Sequence, residues 1–183
     1  GVEGNFRQIP GVKETDTVYA NGKVDSANYK GLHHSDHAET VKIVYDASKV
    51  SLQELLAHYF RIIDPTSLNK QGNDAGRQYR TGIYYVDDSM IKEIQSFVKF
   101  MQKKYSRPIV VEVERLRHFI LAEDYHQDYL KKNPSGYCHI DVTDAAKPLI
   151  DTSHYEKPSQ AFLRENLSEE SYRVTQESAT EAL

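Results

Sequence analysis

The spacing of apolar and polar positions changes several times along the chain, and each change marks an element. Residues 41–46, VKIVYD, alternate apolar with polar as a half-buried strand does. Ser51 followed by Glu54 is a capping-box signature and predicts a helix through LLAHYFRII, stopped at Asp64 and Pro65. Residues 69–80, NKQGNDAGRQYR, contain two glycines and no apolar period, which predicts a loop, and TGIYYV at 81–86 resumes a strand. Asp88 is placed to cap the next helix, where Ile91, Ile94, Val98, Met101 and Tyr105 recur every three or four residues and line one face; Arg107 and Pro108 end it. PIVVEVE and RHFILAE then read as two adjacent strands, followed by a short helix, DYHQDYLKKN, and a turn at Asn133, Pro134, Ser135 and Gly136.

Helices mixed with antiparallel-looking strands predict an α+β layered architecture and not a doubly wound sheet. Beyond Asp144 the apolar positions thin out and KPLID and KPSQ bring in proline. This predicts a domain over residues 1–143 and an extended C-terminal linker over 144–183, with a last helical piece from near Ser168. The 183 residues, 39% apolar and 27% charged, suffice for one ordinary core. No apolar run approaches the ~18 residues of a spanning helix, so neither a membrane segment nor a signal peptide is expected.

Charge sharpens this picture. Lysine and arginine number 23 against 27 acids, a net of −4, which argues against nucleic acid or anionic lipid as partners. The imbalance sits in residues 151–183, with seven acids and three bases, while the first 150 residues balance at twenty of each. The single cysteine, Cys138, can form neither an internal disulfide nor a cysteine zinc site. It follows a glycine turn, where a thiol can be mobile and open to disulfide exchange; buried packing is the other reading.

Glu39 lies just before a strand among few opposing charges, so a raised pKa would equip it for proton transfer, although an exposed strand-end glutamate is the commoner case. Tyr29 and Tyr79 belong to 13 tyrosines in a chain without tryptophan, and a polar tyrosine pocket or plain packing would both use them. Asp74 in QGNDAG suits an Asx turn or a site. The string HHSDH at 33–37 invites a metal, but it lacks the spacing of a helical site and a nearby cysteine, so a solvated polar loop is preferred. His126 and Tyr129 share a face of the predicted short helix.

Four strings, GVEGNFRQIPGV, DHAETVKIVYD, DPTSLNKQGNDAGRQYRTGIYY and AEDYHQDYLKKNPSGYC, together resemble the A-type peptide methionine sulfoxide reductases over residues 1–142. That family reduces the S epimer of methionine sulfoxide, free or in oxidised proteins, and serves protein repair under oxidative stress. The resemblance implies a ferredoxin-like two-layer α+β sandwich with a mixed sheet. It implies that Glu39 protonates the sulfoxide oxygen, that Tyr29 and Tyr79 hold it, and that Asp74 orders a water beside them. His126, Tyr129 and Tyr137 would line the pocket, and Cys138 would be the resolving thiol. No cofactor or metal is implied, only thioredoxin or a similar dithiol as external reductant.

The family's attacking cysteine sits in a Gly-Cys-Phe-Trp motif just before the residues matching Gly1, Val2 and Glu3. This chain has neither that cysteine nor any tryptophan, so an upstream segment is the expected source, and a binding module without a nucleophile is the alternative. Val18 replaces the family's usual glycine, and the segment between Tyr29 and Glu39 is shorter. Downstream, KPLIDTSHYEKPSQAFLRENLSEESYRVTQESATEA resembles the linker and opening residues of a B-type reductase, which implies a fusion partner at the C-terminal side, and the tail could itself dock that domain. The sequence leaves cytoplasm and bacterial cell surface both open.

Overall fold

The computed structural model describes residues 1–149; the predicted helix near Ser168 and the B-type resemblance after residue 149 lie outside the described residues. In chain order the elements are α1 (Val2–Phe6), β1 (Val12–Ala20), α2 (Leu32–Ser35), β2 (Ala38–Tyr45), α3 (Leu52–Ile62), β3 (Lys70–Gln71), β4 (Asp74–Ala75), β5 (Gly82–Tyr85), α4 (Ile91–Gln102), β6 (Glu112–Arg115), β7 (Phe119–Leu121) and α5 (Tyr129–Lys132). β1 is the middle of an antiparallel sheet ordered β2-β1-β7, and its register sets Tyr19 opposite both Glu39 and Ile120. β5 and β6 pair in parallel, Gly82 with Glu112 through Tyr85 with Arg115. The architecture is α+β with mixed strand pairing.

The capping box at α3 forms as expected: the Ser51 hydroxyl accepts the Glu54 N–H and the Glu54 carboxylate accepts the Ser51 N–H. Such a box stabilises a helix by about 1 kcal/mol. α3 buries Leu55, Leu56 and Phe60, and α4 answers with Ile94 and Phe97; the rings of Phe60 and Phe97 meet edge to face at 5.2 Å. A second cluster joins Phe6, Ile9, Val50 and Leu55 to Ala145, which lies on a 3-10 turn over Val142–Ala146.

Several boundaries differ from the sequence reading. Asp88 does not cap α4; Asp87 accepts the Ser89 N–H and opens a 3-10 turn, and α4 follows it from Ile91. The two strands after α4 do not pair with each other. Their connection contains no turn residue, and buried Asn21 takes it up instead: its side chain accepts the Arg117 N–H and its own N–H reaches the His118 carbonyl. β6 therefore stays with β5 while β7 crosses to β1. The helix expected at 124–133 shrinks to α5 because Asp128 adopts a left-handed backbone with φ 53°. His126 and Tyr129 consequently share no helix face.

HHSDH is not a solvated loop. It spans the end of α2, and His37 is fully buried, with Nδ1 2.9 Å from the Ser35 hydroxyl and Nε2 3.1 Å from Nε2 of His118. Burial, and then His118, pushes the His37 imidazole below its usual pKa. Gly22 is obligatory beneath this ring, since a Cβ there would lie 2.1 Å from Nδ1. Among the described residues no three His, Cys, Asp or Glu side chains converge as a metal site, and no helix is long and apolar enough to cross a membrane.

Candidate active site

Glu39 is the second residue of β2, not a residue before the strand, and the register with β1 turns it to the same sheet face as Tyr19, Val41 and Ile43. That face looks into a cavity of about 640 Å³. All the candidate residues line it: Glu39 from β2, Asp74 from β4, Tyr79 from the 3-10 turn Arg77–Tyr79, Tyr29 from the 3-10 turn Tyr29–Gly31, Tyr129 from α5, and His126, Tyr137 and Cys138 from the segments around α5.

The Tyr29 and Tyr79 hydroxyls lie 3.3 Å apart, although 50 residues separate them in the chain. Oε1 of Glu39 is buried and has no hydrogen-bond partner among the protein groups. Burial pushes the Glu39 carboxyl up to about 7, and nearby Asp74 pushes in the same direction. At neutral pH a large fraction of Glu39 is thus a neutral acid, able to donate a proton. Burial, reinforced by the bond to Tyr29, also raises the Tyr79 phenol, which stays a donor throughout the physiological range.

His126 forms one wall. Its ring centroid is 4.4 Å from that of Tyr29 and 4.4 Å from that of Tyr125, its Nε2 is buried without a protein partner, and burial holds the imidazole below its usual pKa. The Cys138 thiol is half-buried and not loose: Sγ donates to the Ile140 carbonyl at 3.2 Å, and a Cβ on Gly1 would stand 2.8 Å from it. His139, the next residue, rests on Gly72, whose left-handed φ of +56° favours glycine, and faces Asp74 with Nδ1 4.0 Å from Oδ2.

Sequence reasoning missed two carboxylates. Glu3, in α1, is buried and accepts the Thr17 hydroxyl at 3.2 Å and the Asp128 N–H at 3.0 Å, tying α1 to the wall that carries His126 and Tyr129. Glu123 accepts the Tyr19 hydroxyl at 2.5 Å and the Tyr29 N–H at 2.9 Å. An alternating Thr15, Thr17, Tyr19 row on one strand, each needing a hydroxyl partner, is the signal that could have pointed to both.

The sequence profile described as "Peptide methionine sulfoxide reductase" matches residues 1–158. The fold is similar to that of reduced Mxr1 from Saccharomyces cerevisiae, at 38% identity over 70% of this chain and 75% of that one, with a TM-score of 0.67. It is similar to methionine sulfoxide reductase A of Corynebacterium diphtheriae at 33% identity, covering 76% and 72%, with a TM-score of 0.72. Yeast Mxr1 in complex with Trx2 matches at 25% identity over 68% and 73%, with a TM-score of 0.51. With the tyrosine pair, the buried acid and the thiol in one cavity, this chain belongs to the peptide methionine sulfoxide reductase family, as an A-type domain.

Proposed function

We propose that the cavity reduces methionine-S-sulfoxide to methionine, with Glu39 as the acid. The observation that carries this reading is the Glu39 oxygen, buried and unpartnered, in the cavity where the Tyr29 and Tyr79 hydroxyls meet. Sulfoxide oxygen leaves poorly until it is protonated. A neutral carboxylic acid and two phenols in a site of low dielectric supply a proton and hydrogen bonds where charge develops. Asp74 raises the acid and orients a water beside it; His126, Tyr129 and Tyr137 enclose the methyl and side-chain carbons.

A thiolate attacks sulfur; the S–O bond breaks, the oxygen passes to the thiol as a sulfenic acid, and the thioether leaves. The Cys138 thiol then displaces that oxygen as water and forms a disulfide, which a thioredoxin-like dithiol reopens by exchange. Cys138 is the single cysteine of this chain, so the attacking thiol comes from another segment. The packing of Sγ against Gly1 favours an attacker carried immediately before Gly1, within reach of the resolving thiol. Yeast Mxr1 was crystallised with Trx2, which favours a thioredoxin as the dithiol here. No metal or cofactor takes part in this scheme. Residues 1–143 would act as the reductase domain and 144–183 as the linker to a B-type reductase.

Turnover of N-acetyl-methionine-S-sulfoxide by the polypeptide carrying the attacking thiol tests the reading. Cys138→Ser should give a single turnover and then stall with thioredoxin; sustained thioredoxin-driven cycling would contradict the resolving role. The second reading, a binding module for oxidised methionine, predicts sulfoxide affinity with no turnover under any thiol.

A further inference from the structure

Tyr29 is 39% exposed, so burial does not hold its ring. It opens a short 3-10 turn, capped where the Asn28 side chain accepts the Gly31 N–H, and residues 21–28 before it belong to no helix or strand. The hydroxyl nevertheless has to meet that of Tyr79 across the cavity. Leu32, just after the turn, packs on Tyr19 and Ala122, and the Tyr29 ring lies beside His126; the hydrogen-bonded link from the turn to the sheet is the Glu123 carboxylate. One oxygen accepts the Tyr29 N–H at 2.9 Å and the other accepts the hydroxyl of Tyr19 at 2.5 Å. Tyr19 is fully buried on β1, directly across from Glu39, and packs with Leu32 and Ala122. Glu123 itself leaves a fixed backbone, since the N–H of buried Ala122 donates to the Thr17 carbonyl at 3.0 Å.

We infer that Glu123 is a positioning residue for sulfoxide recognition: its carboxylate bridges Tyr19 and the Tyr29 backbone and so aims the Tyr29 hydroxyl at the sulfoxide oxygen. This rests on the reading of the Tyr29 and Tyr79 pair as the oxygen-binding group. Burial raises the Glu123 carboxyl, and the bonds from Tyr19 and Tyr29 outweigh it, so the bridge is anionic at neutral pH. Hydrogen bonds to a charged acceptor are the stronger kind and keep their geometry.

The test compares two probes on the purified chain by NMR titration: N-acetyl-methionine-S-sulfoxide methylamide and the corresponding thioether, which lacks the oxygen. Glu123→Ala should weaken sulfoxide binding roughly tenfold and leave thioether binding unchanged, as loss of one well-placed hydrogen bond does. Glu123→Gln should restore it, because the amide oxygen accepts from Tyr29 and the amide N–H donates to Tyr19. In a Tyr29→Phe background Glu123→Ala should add nothing. Equal loss for sulfoxide and thioether would overturn the inference, leaving Glu123 a packing residue. If Tyr29→Phe selectively weakens the sulfoxide and Glu123→Ala does not, the pocket reading stands and the inference fails. If Tyr29→Phe changes neither probe, the oxygen-binding role fails and the inference with it. Should Glu123→Ala not fold, Glu123→Asp, one methylene too short to bridge both groups, carries the same selective expectation.

Discussion

Asp36 and Glu39 lie three residues apart, yet their surroundings are opposite. Asp36 accepts from Arg77 Nε at 2.5 Å, with Lys23 at 3.4 Å and Arg80 at 4.0 Å, and the Arg77 hydrogen bond holds its carboxyl below the usual range. Glu39 has no arginine or lysine against it; burial and Asp74 drive it up. The same short turn serves both sites. Arg77–Tyr79 sends Arg77 to Asp36 and Tyr79 into the cavity that Glu39 lines, and Arg80, which follows, donates to Glu112 at 2.9 Å. Burial first, and then Asp74, keep the acid protonatable, while Arg77 and Arg80 are paired with other carboxylates, Asp36 and Glu112.

Breaking this separation gives graded effects. The largest concerns pH. The folded protein holds the Glu39 proton up to about pH 7, whereas the unfolded chain releases it near 4.5, so between these values the folded state binds more protons and stability falls as pH rises. The loss approaches about 3 kcal/mol and levels off above pH 7. Urea unfolding of wild type against Glu39→Gln across pH 4.5–8 checks it, because the variant should lack this slope. Next, in the polypeptide carrying the attacking thiol, Glu39→Gln should lower sulfoxide turnover by about 100-fold or more with the fold intact. Steady-state kinetics and circular dichroism on one preparation check this. Third, Asp36→Asn removes the carboxylate that pairs with Arg77 and Lys23, while Arg80 keeps Glu112 and the Arg77 carbonyl, and should cost about 1 kcal/mol in chemical denaturation. The smallest effect belongs to Asp74→Asn. It should lower the Glu39 midpoint by less than burial raised it, since Asp74 is the lesser of the two upward causes.

Much of this was legible in the sequence where the signal is local. The Ser51 and Glu54 capping box and the apolar spacing of α4 depend on neighbours within one turn; the box formed, and α4 formed from Ile91 but ends at Gln102, before Tyr105. The cavity residues could be named one at a time, and through the family resemblance as a set. Their convergence could not be derived from spacing, because α2, β2, α3 and the β3 and β4 pair lie between Tyr29 and Tyr79. The failures share one cause. HHSDH looked solvated because polarity was counted without His118, which arrives 81 residues later to pair with His37. Glu123 and Glu3 draw no expectation from the sequence because their partners, Tyr19, Thr17 and the backbone of Asp128, are distant in the chain. The helix expected at 124–133 is shorter in the structure because nothing local announces the left-handed backbone at Asp128.

The central claim is that Glu39 is a neutral acid at working pH, and titrating its side-chain carboxyl carbon by NMR tests it most directly. A midpoint near 7, falling when Asp74 is changed to Asn, is the predicted result. A midpoint near 4.5, unmoved by that substitution, would make Glu39 an ordinary carboxylate and contradict the account.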